Sequence, residues 1–210
     1  MKASDPLPQD LTAPQGACAR REDRRVVKTK AAICQSLHQL MKRQDYDTIT
    51  VTAIAREADI DRKTFYTHYR TIDDVLEDIA RQRLAAMLKE VDAATFFEDL
   101  EANTQAILQA INRNLKLDGL LESRDAPYPY ERMLRLYTRL LSEWLNSAPT
   151  FGKGPAQIEE TSFTVYYYLG GLEALYTRWL QSDRTLSLQE LAQLAHRNIV
   201  YGAKGIVDKA

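Results

Sequence analysis

Between Asp61 and Asp74 the chain reads DRKTFYTHYRTIDD, with cations, hydroxyls and aromatic rings interleaved rather than sorted into blocks. On a helix from Arg62 to Arg70, the three-and-four spacing puts Arg62, Lys63, Tyr66, Thr67 and Arg70 on one face. Each can donate a hydrogen bond to a phosphate oxygen or a base edge. The opposite face carries Ile60, Phe65, Tyr69 and, further on, Ile72. The aromatics thus divide by role: Phe65 and Tyr69 seat the helix, and Tyr66 is presented outward. Thr64 and His68 flank the face. Cations at the start of a helix oppose its dipole, a cost that a bound phosphate reverses. A solvated basic surface is the bland alternative, and an aromatic ligand box would need rings that the helix already uses for seating. The pattern fits a surface made to touch phosphate.

Such a helix needs a partner to hold it. Thr50 is placed to cap a helix that starts at Val51 and turns Ile54, Ala55 and Ala58 inward. ADID then breaks it, with Asp59 able to take the left-handed conformation of a tight turn, and Asp61 can cap the next helix. Two short helices, about 51–58 and 62–69, joined by three residues make a helix-turn-helix, whose second helix enters the DNA major groove. Upstream, Val27, Ala31, Cys34, Leu37 and Met41 recur at threes and fours, predicting a helix that ends near Arg43.

From Ile72 onward the periodicity predicts long helices, broken at RDAPYPYE, SAPTFGKGPAQ and SDRTLS, with no strand-period segment and no repeat. The expected fold is all-α, roughly nine helices. A tail (1–19) precedes a three-helix helix-turn-helix domain (20–72) and a six-helix C-terminal domain (73–210). The tail is Pro- and Gln-bearing and aperiodic, so it is expected to be disordered. Eight glycines and seven prolines leave most of the chain free to be helical.

Charge follows the same division. Residues 20–70 carry twelve Lys/Arg against seven Asp/Glu, while the remainder has an acidic excess that brings the total to −1. A basic module that can grip an anionic polymer is joined to an acidic one. Two cysteines, Cys18 and Cys34, make no disulfide framework, the N-terminus has no apolar signal core, and no apolar run is long enough to span a membrane. A cytoplasmic protein is expected. His38, His68 and His196 stand far apart without a metal-ligand partner at i+3 or i+4, and there is no nucleophile motif, phosphate-cradling glycine loop or zinc pattern. No cofactor, metal or catalytic residue is therefore expected, and an enzyme is the weaker class.

At this point ITVTAIAREADIDRKTFYTHYRTIDDVL resembles the DNA-binding segment of the tetracycline-repressor (TetR) family of transcriptional regulators. The matching elements are IA at 54–55, TFY at 64–66, HY at 68–69 and the acidic-then-aliphatic start of the next helix. The resemblance covers about forty-five residues and implies roles. Thr50 and Thr52 would meet phosphate, Arg62, Lys63 and Thr64 base edges or phosphates, and Tyr66 and His68 backbone phosphates. Arg24 or Arg25 would reach the minor groove. Two departures stand out: Asp59 occupies a position where the family usually has Gly, and Ile72 one where it commonly has a phosphate-gripping Lys.

The resemblance also implies that the chain beyond about residue 75 senses a ligand and dimerises. Gly170 and Gly171 lie mid-helix, where glycine is costly, so something is expected to approach the backbone closely. Gly171, Leu175 and Trp179 on that helix, with Leu191, Ala195, Ile199, Gly202 and Ile206 on the last, are the expected dimer face, two helices pairing with their copies. A homodimer is favoured because one recognition helix covers too few base pairs, whereas two read a palindromic operator in double-stranded DNA. Phe97, Met133, Tyr137, Trp144, Phe163, Tyr166 and Tyr167 are the expected lining of an apolar pocket for a small-molecule effector. The reading is a dimeric repressor released by that effector. Its rival is a regulator, repressor or activator, whose C-terminal domain binds a partner protein instead of a small molecule.

Overall fold

The computed structural model describes residues 24–90, 96, 98–117, 130–147 and 155–200. Among these, eight α-helices and two short 3-10 turns occur and no strand. The α-helices are α1 (Arg24–Met41), α2 (Val51–Glu57), α3 (Arg62–His68), α4 (Ile72–Met87), α5 (Leu100–Leu117), α6 (Tyr130–Asn146), α7 (Pro155–Gln181) and α8 (Leu188–Val200). The all-α expectation is met, but the ninth helix is not among the described residues, and five helices rather than six follow α3. Two compact units form, the first ending at Ala85 and the second starting at Ala86. Phe97, Gly202, Ile206 and the tail 1–19 lie outside the described residues.

In the first unit α1 packs on α2 and α3, and α2 on α3. Ile33, Leu37 and Met41 of α1, Ile54 and Ala55 of α2, Phe65 of α3 and Val75, Leu76 and Ile79 of α4 are buried. The α1 stripe begins later than the periodicity indicated: Val27 and Ala31 are exposed, and Ile33 and Leu40 join Cys34, Leu37 and Met41 inside. Two links tie the loops down. Arg43 pairs with Glu57 at 3.3 Å, and the Tyr46 hydroxyl donates to Asp73 at 2.6 Å.

In the second unit α6 packs on α7 and α5 on α8. Helix α6 is the most sharply two-faced, burying Met133, Leu134, Tyr137, Leu140, Leu141, Trp144 and Leu145. Two side-chain hydrogen bonds cross this core, where the low interior dielectric makes an unmade bond costly. The hydroxyls of Thr104 and Tyr168 are hydrogen-bonded, and the Tyr176 hydroxyl donates to Asn112 Oδ1 at 3.1 Å. Burial pushes Tyr168 up to about 12, the Thr104 bond opposing it. Helix α8 opens with a reciprocal cap in which the Ser187 amide donates to Glu190 Oε2 and the Glu190 amide to Ser187 Oγ.

Candidate nucleic-acid interface

The turn between α2 and α3 fixes the site. Thr50 caps α2, its hydroxyl oxygen accepting the Ala53 amide at 3.1 Å. Helix α2 stops at Glu57, and Asp59 takes φ 52°, the left-handed conformation expected of it. The Ile60 amide then bonds back to the Ala55 carbonyl at 3.0 Å, closing the turn. Asp61 starts α3, its carboxylate accepting the Thr64 amide at 2.6 Å. That bond holds the carboxyl below its usual range.

The faces of α3 divide as its sequence predicts. Phe65 and Tyr69 are buried, and Arg62, Lys63, Tyr66, Thr67 and Arg70 are exposed. Tyr66 is 49% exposed, its ring held edge-on to Phe65 at 5.5 Å between centroids, so the hydroxyl points away from the core on a fixed ring. Thr64 and His68 are half-buried at the flanks, and Thr50 and Thr52 are exposed at the start of α2. Arg24 and Arg25 are exposed on the first turn of α1. Thr67 differs from its neighbours: its hydroxyl donates to the Lys63 carbonyl at 3.0 Å, so its proton is used inside the helix.

The seat of α3 depends on a polar chain that periodicity does not reveal. The Tyr69 hydroxyl donates to Asp78 Oδ2 of α4 at 2.5 Å and lies 3.5 Å from Cys34 Sγ of α1. With its proton committed to Asp78, Tyr69 accepts from the thiol. Lys30 of α1 stands over the same ring, 6.0 Å from its centroid. Burial pushes both the Tyr69 phenol and the Cys34 thiol up, so both stay neutral at pH 7. One residue thereby ties the end of α3 to α1 and α4.

Helix α4 starts at Ile72 as the periodicity predicts, with a Thr-x-x-Asp cap that periodicity alone does not reveal. Thr71 Oγ1 accepts the Asp74 amide at 3.1 Å, and Asp74 Oδ2 accepts the amides of Arg70 and Thr71, each at 2.9 Å. The helix start beside Ile72 is closed by its own carboxylate.

Comparison with known proteins shows what this arrangement is similar to. Residues 33–79 match the model of the bacterial regulatory proteins of the tetR family. The match takes in 47 of the 210 residues, so it is the segment around the helix-turn-helix that is similar to the tetR family. A relative 35% identical over 74 residues is the uncharacterised HTH-type transcriptional regulator YxbF of Bacillus subtilis (strain 168). That match takes in 35% of this chain and 20% of the relative, so the chain spans about a fifth of the length of the curated protein it matches. A TetR transcriptional regulator from Streptococcus agalactiae shares the fold, with a TM-score of 0.57 at 23% identity over 84% of this chain and 96% of that one. The tetR-family segment covers the described part of the helix-turn-helix from Ile33 into α4 and includes every outward residue of α3.

Of the residues expected to line a pocket, Tyr166 and Tyr167 border one open groove of about 450 Å³, and Met133, Tyr137, Trp144 and Phe163 are not brought to it. Met133, Tyr137 and Trp144 are buried in the core of the second unit, where Tyr137 borders a cavity of about 20 Å³, room for a water and no more. Phe163, Tyr166 and Tyr167 instead lie on the outer side of α7, 68%, 52% and 75% exposed. Their helical spacing was right, but α7 has both an inner and an outer row of rings, and periodicity alone does not say which faces in. Of the expected dimer face, Leu191 and Ala195 are buried within the chain, where α8 packs on α5. Gly171 is exposed, and Leu175, Trp179 and Ile199 are part-exposed. Neither Gly170 nor Gly171 is crowded: a Cβ added to either meets nothing within 4 Å. No group of three or more His, Cys, Asp or Glu among the described residues could hold a metal ion, and no described helix is long and apolar enough to cross a membrane.

Proposed function

We propose that the chain is a homodimeric transcriptional regulator of the cytoplasm that reads a palindromic operator through α2 and α3 and represses while bound. The observation that carries the reading is the outer face of α3, where Arg62, Lys63 and Tyr66 stand exposed on a helix whose other side is locked by Phe65 and Tyr69. Arg62 and Lys63 meet base edges or phosphates, and Tyr66 meets a backbone phosphate through its hydroxyl. Thr50, Thr52, Thr64, His68, Arg24 and Arg25 border this face and complete the contact. Thr67 contributes shape rather than a proton, because its hydroxyl already serves Lys63. Release follows when an effector favours a state whose two recognition helices are mis-spaced; moving from mostly bound to mostly free takes about 5.5 kcal/mol of differential affinity.

A protein partner for the C-terminal body is the second reading, and one observation favours it. Three of the seven residues expected around a compound, Phe163, Tyr166 and Tyr167, face outward and suit a macromolecular surface. The DNA reading is tested by capturing genomic fragments with the purified protein and titrating the recovered site in gel shifts. Lys63→Ala and Tyr66→Phe each weaken binding with the fold intact, Lys63→Ala also lowers the salt-dependence slope by about 0.9, and Thr67→Ala changes affinity less than about twofold. Unchanged binding for both Lys63→Ala and Tyr66→Phe removes this face from the DNA contact.

A further inference from the structure

Asp61, the residue before α3, puts a negative charge on a surface otherwise suited to gripping phosphate. It is exposed, as are Arg62 and Lys63 beside it. Its carboxylate caps the helix through Oδ1, which accepts the Thr64 amide at 2.6 Å. That bond lowers the carboxyl pKa, with the Lys63 charge adding to the effect, so the group is ionised at neutral pH. A cap does not require this charge, because Ser, Thr and Asn cap helices about as well as Asp. Neutral hydroxyls serve at the two neighbouring helices: Thr50 accepts the Ala53 amide at the start of α2, and Thr71 the Asp74 amide at the start of α4. The carboxylate stands instead at the helix whose first residues meet base edges in a helix-turn-helix. A carboxylate accepts up to about four hydrogen bonds, so the cap at Oδ1 leaves capacity for another partner.

What an ionised carboxylate can meet in a major groove is narrow, because it only accepts. Phosphate oxygens, guanine N7 and O6, and thymine O4 are acceptors and repel it. The donors are adenine N6 and cytosine N4. In an A·T pair N6 lies between two acceptors, adenine N7 and thymine O4. In a G·C pair N4 lies at the end of the row, with an acceptor on one side only, so cytosine is the base that fits. The guanine of that pair offers N7 and O6, which the planar fork of an arginine matches. One G·C pair thus has a place for a cation and an anion that are consecutive in sequence, as Asp61 and Arg62 are. We infer that Asp61 is a specificity-determining residue, accepting from the N4 amino group of a cytosine in each half-site while Arg62 takes a guanine. The inference rests on the operator reading proposed above and adds a base to it: a G·C pair where the start of α3 meets the groove.

The test uses the full chain and a random-sequence duplex library, with bound DNA selected and sequenced for the parent and for Asp61→Asn. Asn caps as well as Asp, so α3 keeps its start. The parent is expected to select a motif with a G·C pair at one such position in each half-site. Replacing that C·G pair by T·A puts an acceptor where the amino group stood, and is expected to weaken parent binding about tenfold. For Asp61→Asn the same replacement is expected to cost about twofold or less, with the rest of the motif unchanged, since an amide both donates and accepts. Asp61→Ser, a second neutral cap, is expected to lose the preference as well. Retention of the cytosine by both variants, or affinity that changes alike for all sequences, makes Asp61 a cap alone; the base contact is then overturned and the operator reading stands. Loss of all binding by both variants, with helical content retained, overturns it too, since one contact per half-site is not the grip. A parent that selects no motif overturns both.

Discussion

Tyr69→Phe isolates one hydroxyl at the point where three helices meet. The ring stays, and with it the contact to Phe65 at 6.1 Å between centroids and to Lys30 at 6.0 Å. The backbone bond from the Tyr69 amide to the Phe65 carbonyl that ends α3 is also untouched. What is lost is the bond to Asp78 Oδ2 at 2.5 Å and the acceptor of the Cys34 thiol. A hydrogen bond to a charged group contributes about 1.5–3 kcal/mol. Asp78 is only half-buried and keeps Gln82 on its other oxygen at 3.3 Å, so water replaces part of the loss. The expected destabilisation is therefore about 1–2 kcal/mol. Because the two units unfold separately in principle, it is read by hydrogen exchange of the α1 and α3 amides across a urea series. Repeating the change in an Asp78→Ala background completes a cycle, where the second loss should fall to about 0.5 kcal/mol or less. A single-variant loss below about 0.5 kcal/mol, or an equal loss in both backgrounds, refutes the claim that this bond seats α3.

The turn and the second-unit core give further expectations. Asp59 sits at φ 52°, so Asp59→Val is expected to cost about 1–2 kcal/mol and Asp59→Gly to stay within about 0.5 kcal/mol of the parent, measured by the same exchange. Equal stability of all three sinks the turn argument. Tyr168 has its folded pKa raised from 10.0 to about 12, so its neutral form contributes fully below pH 10 and that share is lost as pH rises from 10 to 12. Trp144 and Trp179, both in the second unit, should report a urea midpoint that falls between pH 9 and pH 11, and falls less in Tyr168→Phe; parallel curves exclude the phenol as a source. At the start of α4, Ile72→Lys should steepen the salt dependence of operator binding by about 0.9, and an unchanged slope shows that phosphate does not pass there.

The first unit was more legible than the second, for a physical reason. A helix of seven residues with a capping residue on each side leaves few choices of face, and Phe65, Tyr66 and Tyr69 had to divide as they do. Asp59 was readable because the short connection between α2 and α3, residues 58–61, turns through one positive φ that few residues accept. The Tyr69–Asp78–Cys34 chain was not, because its members are 35 and 9 residues apart and only the packing of α1 against α3 and α4 brings them together. In α7, 27 residues long with aromatics on both sides, periodicity found the helix but not its orientation. Tyr168 turned in to Thr104 while Tyr167, its neighbour, turned out. The stripe at Leu191 and Ala195 is ambiguous on the same ground: it says that a helix face is covered, and in this chain α8 packs on α5.

The start of α4 sets how the first unit divides its charge. Three amide bonds close around Thr71 and Asp74, and Asp73 is held by the Tyr46 hydroxyl, so the carboxylates that would repel a phosphate also fix α4 against the loop after α1. An amide that already serves Asp74 has no proton for DNA, and a lysine that could offset those carboxylates is replaced by Ile72. Removing Asp74 to open the helix end would free the amides of Arg70 and Thr71, and these sit directly after Tyr69, the residue that ends α3. A better phosphate anchor at α4 would therefore loosen the seat of the reading helix. Exposed cations of this unit stand instead on α1 and α3, at Arg24, Arg25, Arg62 and Lys63, away from the Thr71–Asp74 cap. Grip is placed where it does not compete with the bonds that hold α3 still.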